Sequence, residues 1–288
     1  LFAVNIPIGL VALALATKVL PANPLSERPF DWLSALLNAL TFGLIIGGVD
    51  TVSRTAAKLG GALELLGGLV AGAILARREW FRPRPLVPFD LMRERAFTLA
   101  VLTSIASFAA QMLAFVSLPF HFENTLHRSQ VATGLLLTPW PAAVALAAPL
   151  AGRLADKLSS ALLCALGLGA LAAGLIALAL LRTDASALDI GWRMALCGLG
   201  FGFFQAPNNR LMLTAAPRER AGAAGGMLGT ARLTGQTVGA VLTAIVLEFL
   251  GGARGEVAAL ALAAGFAIVA AIVSGLRLSG PAQMRSSP

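Results

Sequence analysis

Apolar residues fall along this chain in long runs, and polar residues gather in short stretches between them. Nine runs stand out, at about 2–20, 31–50, 58–76, 97–118, 131–151, 160–181, 190–207, 228–250 and 257–277. About 20 mostly apolar residues, wound as a helix, cross the ~30 Å of bilayer hydrocarbon. The pattern therefore predicts an all-α membrane protein of about nine transmembrane helices. A membrane barrel is excluded, because its strands would be ~10 residues long with strict alternation. Within the fifth run, Trp140 between Pro139 and Pro141 predicts a bend, since proline removes a helix hydrogen bond.

The longest polar interruption is RREWFRPRPLVPFDLMRER at 77–95, with six arginines and three prolines. Trp80 and Phe81 within it suit a membrane interface. The interruption separates three upstream runs from six downstream ones, and six spans is the size of one bundle in many transporters.

Composition narrows the class further. Only 12% of the 288 residues are charged and 57% are hydrophobic, against about 25% charged in soluble domains. Water-soluble enzymes, disordered tails and nucleic-acid modules are excluded on that ground. The net charge of +8 has a topological reading instead. With alternate loops on opposite sides, 16 of the 22 lysines and arginines fall on one side. The positive-inside rule assigns that side to the cytoplasm, which puts the C-terminus inside and Leu1 at the outer face. Leu1 is neither an initiator Met nor part of a basic leader. The expectation is a fragment preceded by an odd number of spans. Cys164 and Cys197 lie inside apolar runs, with neither disulfide-framework nor metal-site spacing.

Polar positions inside the runs are the candidates for chemistry. Ser104, Phe108, Gln111 and Phe115 recur on one helical face. A glutamine in hydrocarbon is costly, so Gln111 should meet another helix or a wet cavity. Aromatic faces beside such a group suit flat or cationic organic molecules. Cys197, Phe201, Phe204, Gln205 and Asn208 share a broad face of the seventh run. Packing and helix–helix hydrogen bonding are the competing roles there. Arg232 and Gln236 share a face, and Arg232 can snorkel to the interface. Gly225 with Gly229, and Gly235 with Gly239, are spaced for close helix approach. Glu64 is the carboxylate placed well within a run, which makes it a candidate for proton handling. His121 and His127 flank Glu123 in an outer loop, but no further ligand is close, so no metal site is expected. No cofactor is expected. An intramembrane enzyme lacks a buried Ser–His or Asp–Asp pair and a P-loop.

Local motifs add a resemblance. Asn5-Ile6-Pro7-Ile8-Gly9 opens the first run, and Gly152-Arg153-Leu154-Ala155-Asp156-Lys157 closes the fifth. Gln205-Ala206-Pro207-Asn208-Asn209-Arg210 follows the seventh, and Arg232-Leu233-Thr234-Gly235-Gln236 lies in the eighth. In this order they resemble the C-terminal two-thirds of fourteen-span drug:proton antiporters of the major facilitator superfamily (EmrB/QacA type).

The resemblance implies that 1–20 is the last helix of an N-terminal bundle and 21–76 an inserted helix pair. It makes 77–96 a cytoplasmic linker, 97–277 a complete C-terminal six-helix bundle and 278–288 a cytoplasmic tail. It also implies that Ser104, Phe108, Gln111, Phe115, Phe201, Phe204, Gln205 and Asn208 line the substrate path. Asn5, Pro7, Gly9, Gly152, Arg153, Asp156, Arg232, Gly235 and Gln236 become gating or structural positions. The Gly152–Asp156 loop faces the N-terminal bundle in that family, so the partner of Asp156 is expected outside this chain. Leu158, Ser159 and Ser160 depart from the family's loop pattern there.

The expected function is proton-coupled efflux of hydrophobic or cationic compounds by alternating access, in a bacterial inner membrane. The implied partners are those small molecules, protons, the lipid bilayer and, as a candidate, a periplasmic adaptor, with no nucleic acid. Transport of an endogenous metabolite and a non-transporting membrane scaffold are the alternatives.

Overall fold

A computed structural model describes residues 5–19, 31–54, 58–80, 91–217 and 220–278. Residues 21–30, most of the basic linker (81–90), Arg218 and the tail from 279 lie outside the described residues, as do the side chains of Asn5 and Asp50. No strand occurs among the described residues. The helices are α1 (Asn5–Val19), α2 (Trp32–Arg54), α3 (Lys58–Trp80), α4 (Arg95–Phe120), α5 (Gln130–Leu137), α6 (Pro139–Leu154), α7 (Ser160–Ala179), α8 (Ala187–Thr214), α9 (Ala221–Leu250) and α10 (Gly252–Gly275).

Seven helical stretches are long and apolar enough to cross a membrane, with α5 and α6 counted as one. Gly9–Val19 and Trp32–Gly48 are shorter apolar stretches. The predicted bend is a break at Thr138, after which Pro139 occupies the first turn of α6. Proline fits there because its missing N–H would have had no intrahelical partner. Three serines start helices with an accepting hydroxyl: Ser129 takes the Ala132 N–H, Ser159 that of Leu162 and Ser186 that of Asp189. Such caps satisfy donors that the first helical turn leaves free. The α9–α10 turn uses Gly251 and Gly252 at φ 62° and 43°, backbone angles that side-chain-bearing residues avoid.

The polar-bounded apolar runs underestimate several helices. The structure carries α8 seven residues beyond the predicted end at 207, and α9 starts at Ala221 rather than 228. Small residues and isolated polar ones continue the helix beyond the apolar run, because the helix needs backbone geometry rather than hydrophobicity.

α4 and α10 pack on each other, and α9 lies against α4; α7 bridges α10 and α8, and α6 covers α8. Leu113, Leu118, Leu168, Leu171, Trp140 and Phe204 form the centre of the resulting core. Gly235 and Gly239 let α9 approach α4 closely. A Cβ at Gly239 would meet the Ala109 carbonyl oxygen at 2.6 Å, and one at Gly235 would strike that of Ile105. Gly225 and Gly229 face open space instead. α2 and α3 pair with each other, with Gly48 against the Gly61 carbonyl. Polar contacts fasten both ends of this hairpin. Ser34 donates to Glu79 at 2.6 Å and Arg78 pairs with Asp31 at 3.3 Å, while Thr51 donates to Glu64 at 3.1 Å.

Candidate functional site

The bundle formed by α4–α10 has two kinds of end. The starts of α4, α7 and α9 meet the ends of α6, α8 and α10 at one of them. Arg93, Arg95, Arg153, Lys157, Arg210, Arg220 and Arg277 collect there, so we call it the basic end. The opposite end holds the close of α4, the α7–α8 turn and the α9–α10 turn.

Asn208 sits fully buried near the basic end, one residue after Pro207 in α8. Its Nδ2 donates to Ser104 Oγ at 2.8 Å and to the Ala100 carbonyl at 3.2 Å, both on α4. Its Oδ1 accepts from Arg277 Nη1 at 3.0 Å. Arg277 Nη2 donates in turn to Ser274 Oγ at 2.8 Å and to Thr103 Oγ1 at 3.3 Å. Ser274 donates to the Ala161 carbonyl at 3.1 Å on α7. One network thus stitches α4, α7, α8 and the end of α10. Every acceptor of the guanidinium in it is neutral, and Arg277 Nε is buried without a partner.

Towards mid-bundle the lining becomes aromatic. Phe108 and Phe201 meet edge-on at 5.5 Å, Phe201 and Phe204 at 5.7 Å, and all three are buried. The Arg232 guanidinium lies 5.5 Å from the centre of the Phe108 ring. One helical turn beyond Gln111, Phe115 packs 4.9 Å from Trp140. Trp140 is fully buried, yet its indole N–H has no acceptor among the described residues. Gln111 and Gln205 are half-buried and make no hydrogen bond with another described residue. An indole N–H withdrawn from water without a partner is costly, so Trp140 marks a place where water or a ligand completes the bonding.

The structure therefore brings Ser104 and Asn208 into direct contact and joins Phe108, Phe201 and Phe204 in one core stack. Gln111 with Phe115, and Gln205, are more open. Gln236 is half-buried on α9, one turn beyond Arg232. Pro7 and Gly9 lie exposed on α1. Gly152 borders open space and Arg153 is exposed. Asp156 pairs with Arg210 of α8, so it has a partner within this chain, contrary to expectation; both side chains are more than half exposed. Glu64 is half-buried in the α2–α3 hairpin and bonded to Thr51.

Three groups escaped the sequence reading. Trp140 was legible only as a bend marker. Arg277 looked like a flanking charge at the end of a run. Glu256 precedes the last apolar run by one residue, but α10 begins at Gly252, which draws Glu256 inside the fold at 1% exposure. It faces His121, Asn124 and Thr125.

Comparison with known proteins agrees with this architecture. The family model of the Major Facilitator Superfamily matches residues 1–240. "Uncharacterized transporter YebQ" of Escherichia coli (strain K12) is 49% identical over 283 residues, 98% of this chain and 62% of that protein. "Riboflavin transporter RibZ" of Clostridioides difficile is 30% identical over 81% of this chain and 50% of its own length. "Multidrug resistance protein B homolog" of Mycobacterium tuberculosis is 27% identical over 86% of this chain and 47% of its own. The chain thus spans between about half and three-fifths of these relatives.

Proposed function

This chain belongs to the major facilitator superfamily of transporters, and we propose that it forms the C-terminal part of a proton-coupled exporter of hydrophobic or cationic compounds. On this reading the basic end faces the cytoplasm of a bacterial inner membrane. The α4–α10 bundle rocks against an N-terminal bundle around a site near the midplane, and α2–α3 is an added helix pair. Protons and lipophilic substrates are the partners, and a periplasmic adaptor remains a candidate.

The observation that carries the proposal is the group around Phe115. A buried indole N–H on Trp140 and the half-buried amide of Gln111 have no hydrogen-bond partner among the described residues, beside the packed rings of Phe115 and Trp140. Unfilled donors next to aromatic faces suit a flat organic cation that carries an acceptor. The test is Gln111→Leu in the full-length protein. Loss of one buried hydrogen bond, about 1.4 kcal/mol, should change competition among efflux substrates about tenfold for at least one cation, with unchanged protein abundance. Identical competition profiles contradict the assignment.

A second reading, transport of a planar metabolite, is favoured by Arg232. The guanidinium of exposed Arg232 lies over Phe108 and would repel an organic cation while attracting a heterocycle rich in acceptors. One relative is named as a riboflavin transporter. Competition by neutral flavins but by no cation would select this reading.

A further inference from the structure

We infer that His121 and Glu256 form a proton-binding couple at the end of the bundle opposite the basic one. Its place in a transport cycle rests on the antiport reading above; the couple itself stands on geometry.

The local chain explains how the two groups meet. Pro119 stands near the end of α4, and residues His121–Thr125 continue it as a single wide π-turn. The Leu126 N–H reaches back to the His121 carbonyl at 3.1 Å. Such wide turns rotate side chains out of the ordinary helical register. Here the turn aims His121, Asn124 and Thr125 at the second turn of α10. Glu256 Oε2 lies 3.1 Å from His121 Nδ1 and accepts from Thr125 Oγ1 at 2.6 Å. Glu256 Oε1 accepts from Asn124 Nδ2 at 3.2 Å. Glu256 is 1% exposed and His121 is 2% exposed.

A buried carboxylate needs compensation. Neither lysine nor arginine pairs with Glu256 among the described residues, and its ionisable partner is the imidazole. The other ionisable groups on the packed elements leave it alone. Glu123 and His127 follow α4 without bonding to it, and Arg128 donates to the Ala185 carbonyl. Glu248 and Arg254 are exposed at the α9 and α10 termini, and Arg182 pairs with Asp184 beyond α7. Arg232 on α9 lies against Phe108, more than three helical turns away along α4.

The second imidazole nitrogen, Nε2, is buried and has no partner among the described residues. In one state, His121 carries its proton on Nδ1, donates it to Glu256 and keeps a free lone pair on Nε2. The couple then holds one net negative charge. A hydronium O–H bond breaks as its proton passes to the Nε2 lone pair and leaves a neutral water, while the Nδ1 contact to Glu256 is kept. The resulting imidazolium faces the carboxylate, and the couple becomes neutral. Release reverses the step. Imidazole is suited to such an exchange near neutral pH. The switch lies where α4 meets α10, two helices that pack along much of their length, so its charge acts on a helix–helix joint. On the orientation proposed above, this end faces outward, the side from which an antiporter takes protons.

The test uses the full-length protein in proteoliposomes. Histidine-ring NMR follows protonation directly, and tetraphenylphosphonium serves as the transport probe. The wild type should show a ring resonance that responds to pH and that His121→Gln removes. The same variant keeps an amide donor near Glu256 but binds no proton. It should lower cation-driven proton flux by about tenfold or more while cation counterflow without a gradient stays within about twofold. Thr125→Val guards against a merely misfolded variant. Removing one donor from the carboxylate changes the charge that the imidazole faces and should move the midpoint of the pH response. Loss of no titrating resonance in His121→Gln, full proton flux in that variant, or an unmoved midpoint in Thr125→Val overturns the inference. A wild type whose His121 titrates but which moves no cation refutes the export reading and leaves the couple standing.

Discussion

The two ends of the α4–α10 bundle solve the same problem with opposite charges. Near the basic end, Arg277 is drawn into the fold and held by Asn208, Thr103 and Ser274. At the other end, Glu256 is drawn in and held by His121, Asn124 and Thr125. A guanidinium stays protonated at any working pH, so the first network is a fixed clamp. An imidazole can take up and release a proton, so on the inference above the second is a switch. Two clusters built on the same plan, one around a half-buried guanidinium and one around a buried carboxylate, thus differ in what they can do, because one contains a group able to exchange a proton.

Perturbing the clamp should have the largest effect on stability. Asn208→Leu takes one of its three acceptors from the Arg277 guanidinium and removes both amide bonds to α4. With three hydrogen bonds lost, and side-chain hydrogen bonds in membrane bundles worth about 1 kcal/mol each, the expected loss is about 3 kcal/mol. It would be read as a lower unfolding midpoint in detergent, equal at every pH between 5 and 8. A pH-dependent loss would make the clamp a switch after all.

The seam between the two ends provides a steric control. Gly239→Leu drives a side chain into the Ala109 carbonyl of α4, and overpacking of this kind costs about 2 kcal/mol. Its unfolding midpoint should fall without changing the histidine titration at the far end. Arg277→Met removes the charge together with its needs, so it should cost only about 1 kcal/mol, well below Asn208→Leu. Equal losses would mean that the guanidinium, rather than the amide, holds the network. The smallest effect belongs to Asp156→Asn. The Asp156–Arg210 pair is largely exposed, and exposed pairs contribute about 0.5 kcal/mol or less, so thermal unfolding should hardly move.

The sequence carried the spans, because long apolar runs have few other uses, and the Gly235–Gly239 seam, because its spacing repeats along one helical face. It did not carry the facing of α7 and α10. Both helices are apolar nearly all round, so no polar stripe marks which side is inside. It misplaced Glu256 for a related reason. An apolar run marks where hydrocarbon begins, but a helix begins where its backbone bonds begin, and α10 starts four residues before its carboxylate. His121 lay in view beside Glu123, yet the wide turn that aims it at α10 follows from tertiary packing rather than from local spacing. Asp156 was expected to await a partner outside the chain. Its neighbour is Arg210, on a helix distant in sequence but adjacent in space.

The central claim is proton-coupled export, and the most direct measurement is efflux of tetraphenylphosphonium from energised cells expressing the full-length protein, with and without an uncoupler. The account predicts lower accumulation than in cells lacking the protein, with the difference abolished when the proton gradient collapses. An accumulation difference that survives the uncoupler would contradict proton coupling, and no difference at all would contradict export.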